Sequence, residues 1–85
     1  MIAVDRNGVP LREGAQVRLV RAAPTLLHGL PSEDQRAIEW VRKEGELQLV
    51  GRDLSTGNLE LAFTDPGGTM HWIHVSPQDV VAAAA

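Results

Sequence analysis

The run His71-Trp72-Ile73-His74 offers more chemistry than any other stretch of this chain. Imidazole can ligate a metal or move a proton near neutral pH. Which use is open depends on spacing. Residues three apart share a face on a helix and point to opposite faces on a strand. The apolar residues Ile73 and Val75 alternate here, so the run reads as a strand with Trp72 and His74 projecting outward together. His71 then lies on the core side, near the strand's start. Histidines on opposite faces cannot share one ion, which argues against a zinc site.

The other reactive residue types have structural readings. Glu33, Asp34, Glu39 and Glu44 fall on one helical segment and read as its cap and solvated face. Asp53, Glu60 and Asp65 flank turns or alternate outward, and Glu60 is expected to pair with Arg52 or Arg18 at the surface. Ser32, Ser55 and Ser76 sit in cap and turn contexts, without the strand-to-helix elbow a nucleophile needs. Gly67-Gly68 lies between strands, not ahead of a helix, and so does not form a phosphate loop. No catalytic residue, metal ligand set or cofactor is expected.

Two binding candidates remain. One is the outward strand face, where Trp72 and His74 would join Gln48, Val50, Arg52, Glu60 and Ala62. An apolar centre with a charged rim is the composition of a protein interface. That patch points to a homo-oligomer or to another protein as partner. The second candidate is Leu26-Leu27-His28-Gly29-Leu30. It reads as a plug for one end of the core, or as a lip over a small apolar ligand formed by Leu27, His28 and Leu30.

The elements that must hold these residues follow from periodicity. Residues 1–12 read as an N-terminal hairpin turning at Asn7-Gly8, a type I′ signal. Ala15–Arg21 alternates as a strand with Val17 and Leu19 inward. Glu33–Glu44 reads as the one helix, with Ser32 and Gln35 as a capping box, Ala37, Ile38 and Val41 as its apolar stripe, and Gly45 as its terminator. Three strands follow over Leu47–Val75, with turns at Ser55–Asn58 and Asp65–Gly68. A tight, 3₁₀-like corner at Ser76–Asp79 leads to a short last strand, Val80-Val81, and residues 82–85 are expected to fray.

Size and charge narrow the classes further. The chain has 85 residues, which implies a single domain over 1–85. Eleven acidic residues against seven Arg and one Lys give a net charge of −3, with no basic run, so no nucleic-acid partner is expected. The absence of cysteine excludes disulfides and thiolate chemistry. No stretch approaches the ~20 apolar residues of a membrane span, and no signal peptide is recognisable, so a cytoplasmic location without membrane partners is expected.

The opening Gly14-Ala15-Gln16-Val17-Arg18-Leu19, the three-strand meander and the ending His74-Val75-Ser76-Pro77-Gln78-Asp79-Val80 together resemble the SH3-like barrel. The resemblance implies a mainly β fold: a small antiparallel barrel with the helix inserted between the first long strand and the meander. Closure would remove the exposed sheet edges. A five-residue likeness, Ile73-His74-Val75-Ser76-Pro77, looks like the closing strand of the plasmid-type (type II) dihydrofolate reductases, and Val50-Gly51 falls where that family has a Val-Gly pair. His74 and Ser76 stand where that family has glutamine and tyrosine. The leading expectation is a binding or assembly module acting through the Trp72/His74 face. The alternative is an oligomeric enzyme or small-ligand binder with a site formed between subunits.

Overall fold

The computed structural model describes residues 2–83. Strands β1 (Ile2–Val4) and β2 (Pro10–Arg12) form a separate antiparallel ribbon. β3 (Gln16–Leu19) leads into a single helical turn, α1 (Pro24–Leu27), and the main helix α2 (Ser32–Glu44). The meander β4 (Leu47–Arg52), β5 (Leu59–Thr64) and β6 (Met70–Val75) follows. A 3₁₀ turn (Pro77–Asp79) and β7 (Val80–Ala82) complete the chain. The fold is mainly β, with strands ordered β6-β5-β4-β3-β7 in one antiparallel sheet.

That sheet is open. β6 and β7 are its edges, so the expected barrel closure is not found among the described residues. The inner face is covered another way. Val17, Leu19, Leu47, Leu49, Leu59, Leu61, Phe63, Ile73, Val75 and Val80 share one core with Ala37, Ile38 and Val41 of α2. Each fully buried leucine or valine contributes about 1.5–3 kcal/mol. The helix therefore does what strand closure would otherwise do.

Three aspartates organise the hairpins. Asp5 Oδ1 accepts from the N–H groups of Asn7 (2.8 Å) and Val9 (2.9 Å), and its backbone carbonyl accepts from Gly8. Asp65 repeats the arrangement, with Oδ1 accepting from Gly67 and Thr69 and its carbonyl accepting from Gly68. Asp53 does so in a loop one residue longer, accepting from Ser55 N–H and, through its carbonyl, from Gly57. The glycine that returns each chain has a positive φ of 78–88°. No described non-glycine residue has one, so Asn7-Gly8 is not the expected type I′ turn. The aspartate side chain makes the turn, and one left-handed glycine closes it.

The helix ends also differ from expectation. Ser32 is the first helical residue, Pro31 occupies the cap, and no side chain caps the helix. Gln35 Nε2 instead donates to the carbonyls of Leu27 (3.3 Å) and Leu30 (3.0 Å), tying α2 to α1. Gly45 has extended backbone, not a left-handed one. A Cβ there would lie 2.8 Å from Val41 Cγ2, so close packing is what requires glycine. Residues 82 and 83 do not fray: Ala82 pairs with Val17, and Ala83 N–H donates to Gln16 O. The remainder of that expected tail, 84–85, lies outside the described residues.

Asp5 is 3% exposed, and its Oδ2 accepts from Ala82 N–H at 2.9 Å. Burial raises its pKa, but the N–H groups of Ala82, Val9 and Asn7 outweigh that and hold it below the usual aspartate value. Its stabilising effect is thus present above the ordinary aspartate range and is lost as pH falls through the lowered folded-state value. Asp5→Asn is expected to lower stability by about 1–3 kcal/mol near neutral pH, read as a shift of the urea midpoint at unchanged slope. The gap between variant and wild type should close as pH falls through that lowered value.

Candidate functional site

β6 places the two binding candidates in one groove. Trp72 and His74 point outward as expected, while Ile73 and Val75 are buried. Trp72 lies opposite Ala62, which lies opposite Gln48, so these three form one outer ladder. The small Ala62 leaves the indole uncovered, and Trp72 is 59% exposed. Met70 on the same strand is also exposed.

A bulge at Val50 rearranges the charged part of the patch. After it, Gly51 lies opposite Glu60, and Arg52 lies opposite Leu59. Arg52 leaves the outer ladder and only borders a shallow depression beside Glu60 and His74. Glu60 Oε2 therefore contacts His74 Nε2 at 3.0 Å, in place of the expected pairing with Arg52 or Arg18.

The free edge of β6 carries open backbone groups. Asp65 N–H donates to Thr69 O, which makes that a hydrogen-bonded position of the β5–β6 hairpin. Bonded and non-bonded pairs alternate along antiparallel strands. The pairs Thr64–Met70, Ala62–Trp72 and Glu60–His74 are thus non-bonded. The N–H and C=O groups of Met70, Trp72 and His74 point away from β5, and no described residue bonds them from the other side.

A groove of about 440 Å³ runs along this edge. It touches every residue from Met70 to His74, and successive side chains point to opposite faces, so its floor is the strand edge itself. Leu26, Leu30, Asp34 and Ile38 form the facing wall. The sequence reading named the strand face and the leucine loop as separate candidates, and the fold sets them against each other. Of the expected lip, Leu30 lines the groove and Leu27 does not. His28, whose N–H closes the α1 turn onto Pro24 O, is exposed and does not line the groove.

His71 is the residue the sequence reading undervalued. Its Nε2 lies 2.8 Å from Asp65 Oδ2, its Nδ1 lies 3.7 Å from Asp34 Oδ1, and its ring stacks on Phe63 with centroids 4.9 Å apart. Asp65, expected to flank a turn, holds the imidazole at one end of the groove, and Asp34, expected at the helix cap and solvated face, lies beside it. The β5–β6 hairpin returns the chain so that the Asp65 carboxylate reaches the side chain six residues on. The bond from His71, with the Thr69 and Gly67 N–H groups, keeps the Asp65 pKa below its ordinary value despite partial desolvation. His71 and His74 sit on opposite faces, and no cluster of three or more metal-ligating side chains occurs among the described residues.

No protein-family model matches the chain, and comparison with curated proteins and with solved structures finds no match.

In His71→Phe the ring stack on Phe63 is retained while the donor to Asp65 is removed. The Asp65 carboxyl ¹³C resonance is expected to titrate below the ordinary aspartate range in wild type and to move up in the variant. An unchanged titration would mean that the His71 bond does not hold Asp65.

Proposed function

We propose that this domain is a binding module that accepts an extended polypeptide segment as an additional strand along β6. The observation that carries this reading is the unpaired backbone edge of Met70, Trp72 and His74, forming the floor of an open groove. Strand addition uses such an edge for affinity and alternate side-chain pockets for specificity. Trp72 would cover the incoming strand's apolar side chains from one face, and Leu26 and Leu30 from the other. β6 carries neither Lys nor Pro, the residues that commonly guard an edge.

Charge selects the kind of segment. Asp34 lines the groove and Asp79 lines the cavity that adjoins it, and among the described residues no Lys or Arg lines either. The occupant is therefore an apolar strand with basic residues. The strand order β6-β5-β4-β3-β7 also supports the SH3-like reading of the fold. A second copy of the chain is the competing occupant of the edge.

The probe is an end-blocked peptide of alternating threonine and valine bearing one lysine at each end, with the same peptide N-methylated at alternate amides as control. The first should shift the amide resonances of Met70, Trp72 and His74 saturably, and the control should not. Trp72→Ala should weaken binding about tenfold or more and change stability by only about 0.5 kcal/mol, because the side chain is exposed. Absence of shifts on β6, or sedimentation showing a dimer that Trp72→Ala dissociates, would overturn the reading.

A further inference from the structure

Asp79 is a buried residue whose carboxylate has no partner among the described residues. It is 7% exposed. Its backbone is fully used: its N–H donates to Ser76 O (3.0 Å), and its carbonyl accepts from Val20 N–H (2.8 Å). Its side chain forms no hydrogen bond or ion pair with any described residue. Neither carboxylate oxygen is sealed from solvent, since no fully enclosed polar side-chain atom among the described residues lacks a partner. The opening is a cavity of about 290 Å³ that Asp79 lines together with Thr25, Asn58, His74 and Ser76.

Burying a charge is costly unless a counter-charge or donors meet it. Elsewhere this chain meets that requirement, as the three backbone donors on Asp5 show. At Asp79 the carboxylate meets no donor among the described residues, and the cavity that Asp79 lines is shared with Thr25, Ser76 and Asn58, residues that carry hydroxyl and amide groups. Thr25, Leu26 and His74 line both this cavity and the β6 groove, so the two abut at His74. We infer that Asp79 and its cavity form the specificity pocket of the groove and receive the ammonium or guanidinium group of a lysine or arginine on the bound strand. The inference rests on the strand-addition reading. It adds a residue that decides which strands bind. The carboxylate supplies a charge-assisted hydrogen bond, and Asn58, Ser76 and Thr25 supply the neutral acceptors that a multi-donor cation needs.

Two arms test it. In the first, n-butylammonium is titrated into the full chain, with n-butanol as the neutral control, and the amide resonances of Thr25, Asn58 and Ser76 are followed. Saturable shifts with the cation alone, lost in Asp79→Asn, are expected. Asp79→Asn should fold normally, since the carboxylate bonds nothing, and unchanged resonances outside the cavity check this. In the second arm, the lysine-bearing strand peptide is compared with one carrying norleucine in place of each lysine. The lysine form is expected to bind about tenfold tighter to wild type and no tighter to Asp79→Asn. No shifts with butylammonium overturns the cation pocket, whatever the peptides do. Equal binding of the two peptides overturns its role in specificity and leaves the groove standing. Failure of both peptides to bind removes the groove reading and this inference with it.

Discussion

A single buried carboxylate joins the two ends of this fold. Asp5 shapes the first hairpin with one oxygen and holds β7 with the other, across a separation of 77 residues. The first hairpin is not part of the main sheet, and without this tie its main-chain link to β7 would be the bond from Arg6 N–H to Val80 O. β7 in turn pairs with β3, the strand from which the chain departs toward α1. A charge-assisted bond inside a low-dielectric region is strong and directional, which suits it to joining the two ends.

The same device recurs in the hairpin that builds the site. Asp65 makes its turn with Oδ1 and holds His71 with Oδ2. An aspartate at a hairpin corner can thus serve local geometry and a distant contact at once. In Asp53 the first role appears alone, where Oδ1 also accepts from the Ser55 hydroxyl. Asp5 uses its second oxygen for a contact 77 residues away, Asp65 for one within its own hairpin, and Asp53 for none among the described residues.

Strand identity and facing were legible in the sequence because period-two alternation is a direct imprint of burial. Leu59, Leu61 and Phe63 inward, Ile73 and Val75 inward, and Trp72 and His74 outward all follow from it. The helix stripe of Ala37, Ile38 and Val41 was legible for the same reason. What escaped depends on tertiary partners. The bulge at Val50 that sends Arg52 out of the ladder has no mark in alternation. Gln35 forms a good capping pattern with Ser32, yet its amide is drawn to Leu27 and Leu30 once those carbonyls lie near. Closure of the sheet was inferred from the cost of bare edges; the helix covers the face but leaves the edge of β6 bare. Asp79 reads in the sequence as part of a corner, and only its burial without a partner marks it as unusual.

The groove has two walls of unequal firmness. One is the edge of a five-stranded sheet, bonded along its length. The other joins α1, a single helical turn with no fully buried residue that the Gln35 side-chain amide ties to α2, to Asp34 and the buried Ile38 of α2 itself. Displacing its α1 part alone would break few backbone bonds, so that part is less protected than the sheet. On the proposed reading, an added strand would meet the bonded sheet edge on one side and the α1 turn on the other.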